Sequence, residues 1–350
     1  MSADRYLAVA GPRELRENGI SVAAPGPGRV TVDITYTGIC GTDVHGYTDG
    51  HMLPPAVFGH EWTGSISAVG DGVTGLRVGQ RVVGGVGPAC GRCPQCVAGH
   101  TRNCDTVFAE ANGVDADAPA YGGFATRVQV AARRVLPVPD SISNVEAALV
   151  EPATVTFHAV RRVAAELGAT TVVQGAGPIG LLTAQNARNA GAGPMIVSEP
   201  SPARRALAAK LGFAHVVEPA DLRAALDELT RGLGADLVYE CTGVPSLFQP
   251  SAELVRRGGT LALLGYPLEN STVSYGDWQS RELTVIGSLA YHHEDFVAAM
   301  QAIAAGRLDV ASLHTGTFGL SSLGDILEEL DSGRSEHTKV LIDPSRDARS

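Results

Sequence analysis

A glycine pattern between an apolar run and a helix-like run constrains the fold more than any other feature of this chain. Within the segment 171–180, TVVQGAGPIG, the spacing G-x-G-x-x-G is filled by Gly175, Gly177 and Gly180. The first glycine permits a tight turn, the second lets a pyrophosphate approach the backbone, and the third lets helix and strand pack closely. The N-terminus of the helix that begins at Pro178 offers free N–H groups, starting with that of Ile179, to an anion. The pattern therefore predicts a dinucleotide site, and a plain glycine turn before a helix is the alternative.

Strand-like and helix-like runs alternate after this pattern. The apolar runs PMIVSEP, ADLVYECTG and GTLALLGYP are separated by helical segments such as SPARRALAAKLG. The alternation predicts a parallel, doubly wound sheet. Residues 1 to about 150 instead consist of short β-like runs between Gly and Pro residues, which is typical of a barrel-like domain. A chain of 350 residues exceeds the usual single core, so two domains are expected.

A helical segment joins the two parts of the chain. Residues 143–168, SNVEAALVEPATVTFHAVRRVAAELG, are rich in Ala and have helical spacing. Ser143 or Asn144 is placed to cap the start of this helix. Pro152 should bend or interrupt it.

Further polar residues complete the predicted coenzyme site. Glu199 ends the strand after the glycine pattern, where a carboxylate accepts hydrogen bonds from a ribose diol. It would repel a 2′-phosphate, and we therefore predict NAD rather than NADP. Arg204 and Arg205 follow and favour NADP, because a guanidinium suits a phosphate. We place Arg204 and Thr242, in YECTG, among the residues that contact the coenzyme.

Four of the six cysteines crowd into residues 90–104, CGRCPQCVAGHTRNC, namely Cys90, Cys93, Cys96 and Cys104. Two residues between cysteines let both thiolates turn onto one tetrahedral ion. Four thiolates leave no ligand position open, so the cluster predicts a structural zinc site. An iron–sulfur cluster is the alternative, although the fourth cysteine comes late for it and no proline follows. A disulfide framework is not expected without a secretion signal in a chain of this size.

Charge and hydropathy exclude other classes of protein. The formal net charge of −10 argues against a nucleic-acid partner, which requires clustered Lys and Arg. The first residues carry several charges and no long apolar run, so neither a signal peptide nor a membrane anchor is expected. These features predict a soluble, cytoplasmic protein.

Two short segments carry metal-capable side chains. Residues 57–64, VFGHEWTG, set His60 beside Glu61. Neighbours on a regular strand point to opposite faces, so either one of the two is idle or the backbone is not a regular strand there. The second segment, GICGTDVHG, brings together Cys40, Thr42, Asp43 and His45. Because Thr and Asp are also common turn residues, this segment alone leaves a functional site and a simple turn as open alternatives.

Taken together, the motifs resemble the zinc-dependent medium-chain dehydrogenases, in that family's order and along essentially the whole chain. Residues 59–73, GHEWTGSISAVGDGV, match the family's zinc signature at Gly59, His60, Glu61, Gly64, Gly70 and Val73. The cysteine cluster matches its structural-zinc lobe and the glycine pattern its coenzyme domain. The resemblance implies an α/β chain with a GroES-like β-barrel catalytic domain at 1–150, a zinc lobe at 88–105, and a Rossmann doubly wound sheet at 151–287. Residues 288–350 are expected to return to the catalytic domain.

The resemblance also implies a catalytic zinc in addition to the structural one. Cys40 and His60 match two of its ligands, and Glu151, in VEPATV, stands where sorbitol, threonine and butanediol dehydrogenases carry a glutamate. In that branch the residue matching Glu61 binds the metal or stands behind it, so both carboxylates are expected near zinc. Gly59 would allow the bend that brings Glu61 there.

The mechanism implied is hydride transfer from a zinc-bound alkoxide to nicotinamide. By resemblance, Thr42 takes the proton and passes it through the coenzyme ribose toward His45, while Asp43 keeps His60 oriented. Tyr47, His51 and Trp62 are candidates for the substrate pocket.

We therefore predict reversible NAD-linked oxidation of a secondary alcohol of a polyol, cyclitol or amino alcohol by a homodimer or homotetramer. An amino-cyclitol dehydrogenase of aminoglycoside pathways is the narrower alternative. A non-catalytic coenzyme-binding relative and a zinc-independent reductase are the competing classes.

Overall fold

The computed structural model describes residues 4–21, 23–50 and 53–346, and these fall into two units along the chain. One unit contains the residues up to Glu151, together with 292–305 and the residues from 314 onward. The other contains 152–291 and 306–313.

The sequence analysis placed all of 288–350 in the first domain, whereas residues 288–291 and the short segment 306–313 lie in the second unit. The amide of Gln185 donates to the carbonyl of Asp309 at 3.1 Å and accepts its N–H at 2.8 Å. Asn189 donates to the carbonyl of Arg307 at 2.8 Å. These bonds tie the segment to a helix of the second unit.

The strands, in chain order, are β1 (Arg5–Gly11), β2 (Glu14–Gly19), β3 (Arg29–Gly38), β4 (Glu61–Val69), β5 (Arg81–Gly84), β6 (Arg127–Ala131), β7 (Val135–Pro137), β8 (Thr171–Gln174), β9 (Met195–Ser198), β10 (His215–Val217), β11 (Ala235–Glu240), β12 (Val255–Leu263), β13 (Thr284–Gly287), β14 (His314–Phe318) and β15 (Lys339–Ile342). The helices are α1 (Gly41–Asp49), α2 (Pro94–Val97), α3 (Asp105–Ala111), α4 (Asn144–Ala148), α5 (Val150–Val163), α6 (Pro178–Asn189), α7 (Pro202–Lys210), α8 (Leu222–Thr230), α9 (Phe248–Leu254), α10 (Tyr275–Ser280), α11 (His293–Ala304) and α12 (Leu323–Asp331).

The first unit is built on a sheet with the strand order β14-β15-β3-β4-β5-β7, in which β6 also pairs with β3. Most of these pairings are antiparallel, and only β14 and β15 run parallel. Alternate residues of the strands bury one face, as the period of two requires. The resulting core contains Val30, Val32, Ile66, Val82, Val128 and Val130. A second core packs α1 and α12 together with β15 through Ile39, Val44, Leu323, Leu327 and Ile342.

The second unit is a parallel sheet with the strand order β10-β9-β8-β11-β12-β13. All of its pairings are parallel. This order, with two halves wound outward from β8 and β11, is that of a dinucleotide-binding fold. The predicted doubly wound parallel sheet is confirmed. The carboxyl end of β8 leads directly into the glycine pattern and α6, which is where such a sheet binds its ligand.

The helical segment after residue 143 is interrupted, as predicted. Ser143 caps α4 by accepting the N–H of Glu146 at 3.2 Å, and Glu146 accepts the N–H of Ser143 at 2.8 Å. The helix ends at Ala148 with Leu149 as its C-cap, and α5 begins at Val150 with Pro152 in its first turn. The proline is tolerated there because a first-turn N–H has no helical partner in any case. This restart places Glu151 at a helix N-terminus rather than in the middle of one long helix. Among the described residues, no helix combines the length and apolar character needed to cross a membrane.

Candidate active site

The two segments that carry Cys40 and His60 meet at the ends of β3 and β4. Cys40 follows β3 and precedes the first turn of α1, and His60 lies one residue before β4. Gly59 has a φ of +78°, in the left-handed region, and a Cβ there would lie 2.7 Å from the backbone nitrogen of Phe124. The expected bend at Gly59 is therefore confirmed. It releases His60 from the strand pattern, so that His60 and Glu61 reach the same side.

Cys40, His60 and Glu61 form a ligand set. One ligand atom from each lies within 4.8 Å of the others. The Nδ1 atom of His60 lies 2.9 Å from the carbonyl of Val57, which accepts the ring N–H. In the neutral ring, Nε2 is then the nitrogen that can bind a metal. A thiolate, an imidazole nitrogen and a carboxylate oxygen are the donors of an open zinc site, so these residues fit the implied metal.

Glu151 lies near this set. Its side chain is 9% exposed, at the start of α5, and its charge raises the pKa of His60. Among the described residues, the group of three within 4.8 Å does not include Glu151. The geometry thus brings Glu61 closest to the ligand atoms of Cys40 and His60, and leaves Glu151 as a neighbour of the ring.

Asp43 connects the two ligand segments through their backbone. It is fully buried; one carboxylate oxygen accepts the N–H of Gly59 at 2.8 Å, and the other accepts the N–H of Cys40 at 2.9 Å. The distance to Nδ1 of His60 is 3.8 Å, too long for a hydrogen bond. Asp43 therefore orients His60 through Gly59 and through charge, while Val57 takes the ring N–H.

Charge also sets the protonation of the His60 ring. Burial lowers the pKa of His60, but the carboxylate of Asp43, the thiol of Cys40 and the charge of Glu151 together raise it well above its usual value. The metal-free ring thus carries a proton that a metal must displace.

Thr42 and His45, the predicted proton relay, lie on α1 beside Cys40. The hydroxyl of Thr42 is 3.6 Å from the Cys40 sulfur. His45 is half-buried one turn further along. Burial lowers the pKa of His45, and the carboxylate of Asp331 opposes this shift. Burial therefore favours the neutral form of the His45 ring.

Tyr47 and Trp62 lie in the core rather than at a pocket. Tyr47 is 5% exposed, and its hydroxyl donates to Glu328 on α12 at 2.9 Å. Trp62 packs in the core of the first unit's sheet, where a Cβ on Gly84 would clash with its ring. His51 lies outside the described residues.

A buried lysine beside Glu61 was missed by the sequence analysis. Lys339, the first residue of β15, is 2% exposed, and its ammonium pairs with the Glu61 carboxylate. Burial lowers the pKa of Lys339, but Glu61 and Cys40 raise it above its usual value. The sequence feature that could have drawn attention to Lys339 is the scarcity of lysine, because the chain has only one other, Lys210.

The four clustered cysteines form a separate site. One sulfur from each of the four lies within 4.8 Å of the others. The backbone N–H of Cys93 donates to Cys90 and that of Cys90 donates to Cys104, both at 3.3 Å. The hydroxyl of Thr106 and nearby backbone N–H groups lower the pKa of Cys90 to about 6, which favours a thiolate. Four sulfur donors in this arrangement fit a closed zinc site.

The glycine pattern has the close approaches that a dinucleotide site needs. Gly175 has a φ of +92°, and a Cβ on Gly180 would clash with the carbonyl of Gly175. Among the described residues, a Cβ on Gly177 would meet nothing within 4 Å, which leaves room over the N-terminus of α6. Pro178 and Ile179 form its first turn. The hydroxyl of Thr242 donates to the buried Glu240, which holds its loop beside Gly175.

Glu199 lies under the same loop. Its carboxylate accepts the N–H of Ala176 at 2.7 Å and the N–H of Ser201 at 2.9 Å. Each oxygen keeps a lone pair for a ribose diol. The two neighbouring arginines differ: Arg205 donates to the carbonyls of Glu199 and Pro200 and pairs with Glu218. Arg205 is thus a structural residue, and Arg204 remains the candidate for contact with the coenzyme.

Comparisons with known proteins agree with this geometry. A family model described as alcohol dehydrogenase GroES-like domain matches residues 26–140, and one described as zinc-binding dehydrogenase matches residues 178–305. Sorbitol dehydrogenase of Bacillus subtilis (strain 168) is 32% identical over 344 residues, covering 95% of each chain. The 2-dehydro-3-deoxy-L-galactonate 5-dehydrogenase of Pseudoalteromonas atlantica is 34% identical over 324 residues, covering 91% of this chain and 93% of that one.

A solved structure from Sinorhizobium meliloti 1021, described as a zinc-binding dehydrogenase and bound to NADP, is similar along the whole fold. It has a TM-score of 0.85 and 29% identity, and the match covers 98% of this chain and 100% of that one. The predicted GroES-like domain and the predicted family are confirmed by these matches. The chain therefore belongs to the polyol branch of the zinc-dependent medium-chain dehydrogenases and is an alcohol dehydrogenase that uses zinc and a nicotinamide coenzyme.

Proposed function

We propose that this enzyme uses two zinc ions and NAD to oxidise a secondary alcohol of a polyol or cyclitol to a ketone, reversibly. The carrying observation is the set formed by Cys40, His60 and Glu61, with Nδ1 of the imidazole held at 2.9 Å by Val57. Relatives named for sorbitol and for a sugar acid support a polyhydroxylated substrate. The narrower amino-cyclitol substrate stays a prediction.

Cys40, His60 and one carboxylate, from Glu61 or Glu151, would hold the catalytic zinc. Bound there, zinc supplies a Lewis acid that lowers the pKa of a coordinated hydroxyl. Asp43 keeps both ligand segments in place through the backbone N–H groups of Cys40 and Gly59. The second zinc would be held by the four clustered cysteines and would contribute folding free energy rather than chemistry.

We assign removal of the substrate hydroxyl proton to two residues of α1, Thr42 and His45. The hydroxyl of Thr42 would accept the substrate proton while it releases its own proton toward His45, which ends the relay as the protonated base. A neutral His45 at pH 7 is suited to that role, because a general base must begin unprotonated. The nicotinamide ring supplies the hydride acceptor, and the glycine loop with Glu199 would bind the rest of the coenzyme.

NAD is proposed because Glu199 presents a carboxylate at the end of β9, beside the glycine loop. A 2′-phosphate there would bring about two negative charges toward a buried carboxylate. The similar Sinorhizobium protein is bound to NADP, which supports NADP as the alternative coenzyme. Rates with each coenzyme separate the two, and the same assays test the substrate class.

The direct experiment is a panel of polyols, cyclitols, amino-cyclitols and simple secondary alcohols, followed by the absorbance of the reduced coenzyme. The proposal expects turnover with polyols or cyclitols and little with simple alcohols. Turnover confined to simple alcohols would contradict the proposed substrate class.

A further inference from the structure

The Glu61 carboxylate can interact with two partners: it belongs to the candidate metal-ligand set, and it forms an ion pair with Lys339. Glu61 is 1% exposed and belongs to the ligand set with Cys40 and His60. Its carboxylate is also paired with the Lys339 ammonium, which is 2% exposed. The ammonium donates a further hydrogen bond of 2.8 Å to the carbonyl of Ile39, the residue before Cys40.

The strand register brings the Glu61–Lys339 pair close to the segments that carry Cys40 and His60. Gly38, at the end of β3, is the cross-strand partner of both Glu61 on β4 and Leu341 on β15. A Cβ on Gly38 would clash with the Glu61 carboxylate and would lie 3.0 Å from Cε of Lys339. Glycine at 38 therefore leaves the space through which the ammonium crosses β3 to reach Glu61.

A buried ammonium in contact with a carboxylate lowers the negative charge that the carboxylate can offer to a metal. In a low-dielectric interior this interaction is strong, because water does not screen it. A carboxylate that binds zinc is similarly tuned by the groups that hold its other oxygen. The same Glu61 would thus be a weaker ligand with Lys339 present than without it.

We propose that Lys339 is a positioning residue that weakens Glu61 as a ligand of the catalytic metal, so that substrate oxygen can displace it. The inference rests on the proposed zinc site at Cys40 and His60. A purely structural ion pair, which only joins β15 to β4, is the competing explanation. The two differ in what happens to the metal when the ammonium is removed.

The test uses purified full-length Lys339→Met, with Lys339→Arg as the variant that keeps the positive charge. Each protein carries cobalt(II) in the catalytic site, and two properties are measured: the visible d–d absorption and the retention of metal against a competing chelator. We expect Lys339→Met to hold the metal about tenfold more tightly than the parent, with an altered absorption spectrum. Lys339→Arg should stay near the parent in both.

The double variant Lys339→Met with Glu61→Gln identifies the ligand responsible. If Glu61 causes the tighter binding, adding Glu61→Gln removes the gain and brings the affinity to that of Glu61→Gln alone. A gain that persists in the double variant would overturn the proposal, as would a Lys339→Met protein whose spectrum and metal retention match the parent. A fall in thermal stability alone, with unchanged metal properties, would establish the purely structural pair.

Glu61→Gln alone keeps the proposal falsifiable if Lys339→Met does not fold. A weakened ligand predicts a loss of metal affinity of less than about tenfold, whereas His60→Ala should lose about a hundredfold or more. Equal losses in the two variants would overturn the role of Lys339. A parent protein that takes up no metal at Cys40 and His60 would instead refute the proposed function, and the two failures are thereby distinguished.

Discussion

Asp43 accepts the backbone N–H of Gly59 at 2.8 Å, and this bond fixes the turn from which His60 projects. The other carboxylate oxygen accepts the N–H of Cys40 at 2.9 Å, so one buried side chain sets the spacing of two ligand segments. Asp43 acts on the candidate zinc site without belonging to its ligand set.

Replacing Asp43 by Asn should weaken the catalytic metal selectively. The amide turns an N–H₂ group toward one of the two backbone N–H donors, and that donor loses its partner. We expect catalytic metal affinity to fall about tenfold to a hundredfold. Metal analysis per chain checks this, with the cysteine-bound metal as the internal reference. Equal loss of both metals would instead indicate a general folding defect.

The two zinc sites should respond differently to substitution. His60→Ala should abolish turnover, keep one zinc per chain and leave the melting temperature close to that of the parent. Cys93→Ser should lower the melting temperature by about 10 °C or more, because a closed site contributes folding free energy. Calorimetry with metal analysis gives both quantities. A Cys93→Ser protein as stable as the parent would remove the structural site from the account.

Coenzyme choice should depend on Glu199. Glu199→Ala should lower kcat/KM for NAD by about tenfold or more, since a hydrogen bond to a charged group is lost. The ratio of NADP to NAD efficiency should rise in the same variant. Arg205→Gln serves as the control for Arg204→Gln, because Arg205 already donates to the carbonyls of Glu199 and Pro200. Preference for NADP in the parent, or an unchanged preference in Glu199→Ala, would contradict this role.

The proton relay predicts a specific pH dependence. Burial lowers the pKa of His45, so the ring is neutral at pH 7 and gains a proton only as the pH falls through that lowered value. His45→Gln should reduce kcat for alcohol oxidation at pH 7 by about a hundredfold. The loss should shrink as the pH rises, because hydroxide then takes the proton. A variant with the parent's pH profile would exclude His45 from the relay.

An oligomer is expected from the edge of the parallel sheet. The strand order places β13 last, and Val285 on that strand is 38% exposed. An edge strand with apolar side chains can pair with the same strand of a second copy. Val285→Lys should therefore shift the protein toward a smaller species, as measured by light scattering. A parent that is already monomeric at micromolar concentration would refute the expectation.

Local rules predicted the motif positions but not their neighbours in space. The glycine pattern, the cysteine cluster and the bend at Gly59 depend on contiguous residues, and their geometry follows from backbone freedom and ligand spacing. The Ser143 cap and the break before Pro152 have the same local origin. The pairing of Glu61 with Lys339 was not predictable in this way, because it depends on the register of β15 against β3.

Aromatic residues near the zinc signature show the opposite failure. Tyr47 and Trp62 are close to Cys40 and His60 in sequence, which suggested a substrate pocket. The packing of α1 on α12 places Tyr47 in one core, and the packing of β3, β4, β5 and β6 places Trp62 in the other. Closeness in sequence does not determine which face of an element a side chain occupies.

The catalytic zinc and the substrate class are tested together by measuring zinc content and polyol oxidation on the same protein. We expect two zinc ions per chain and NAD-linked oxidation of polyols or cyclitols. Activity should disappear as a chelator removes the first zinc and return when zinc is restored, while the four-cysteine site keeps its metal. Full polyol oxidation by a protein without metal at Cys40 and His60 would show that these residues do not hold a catalytic zinc.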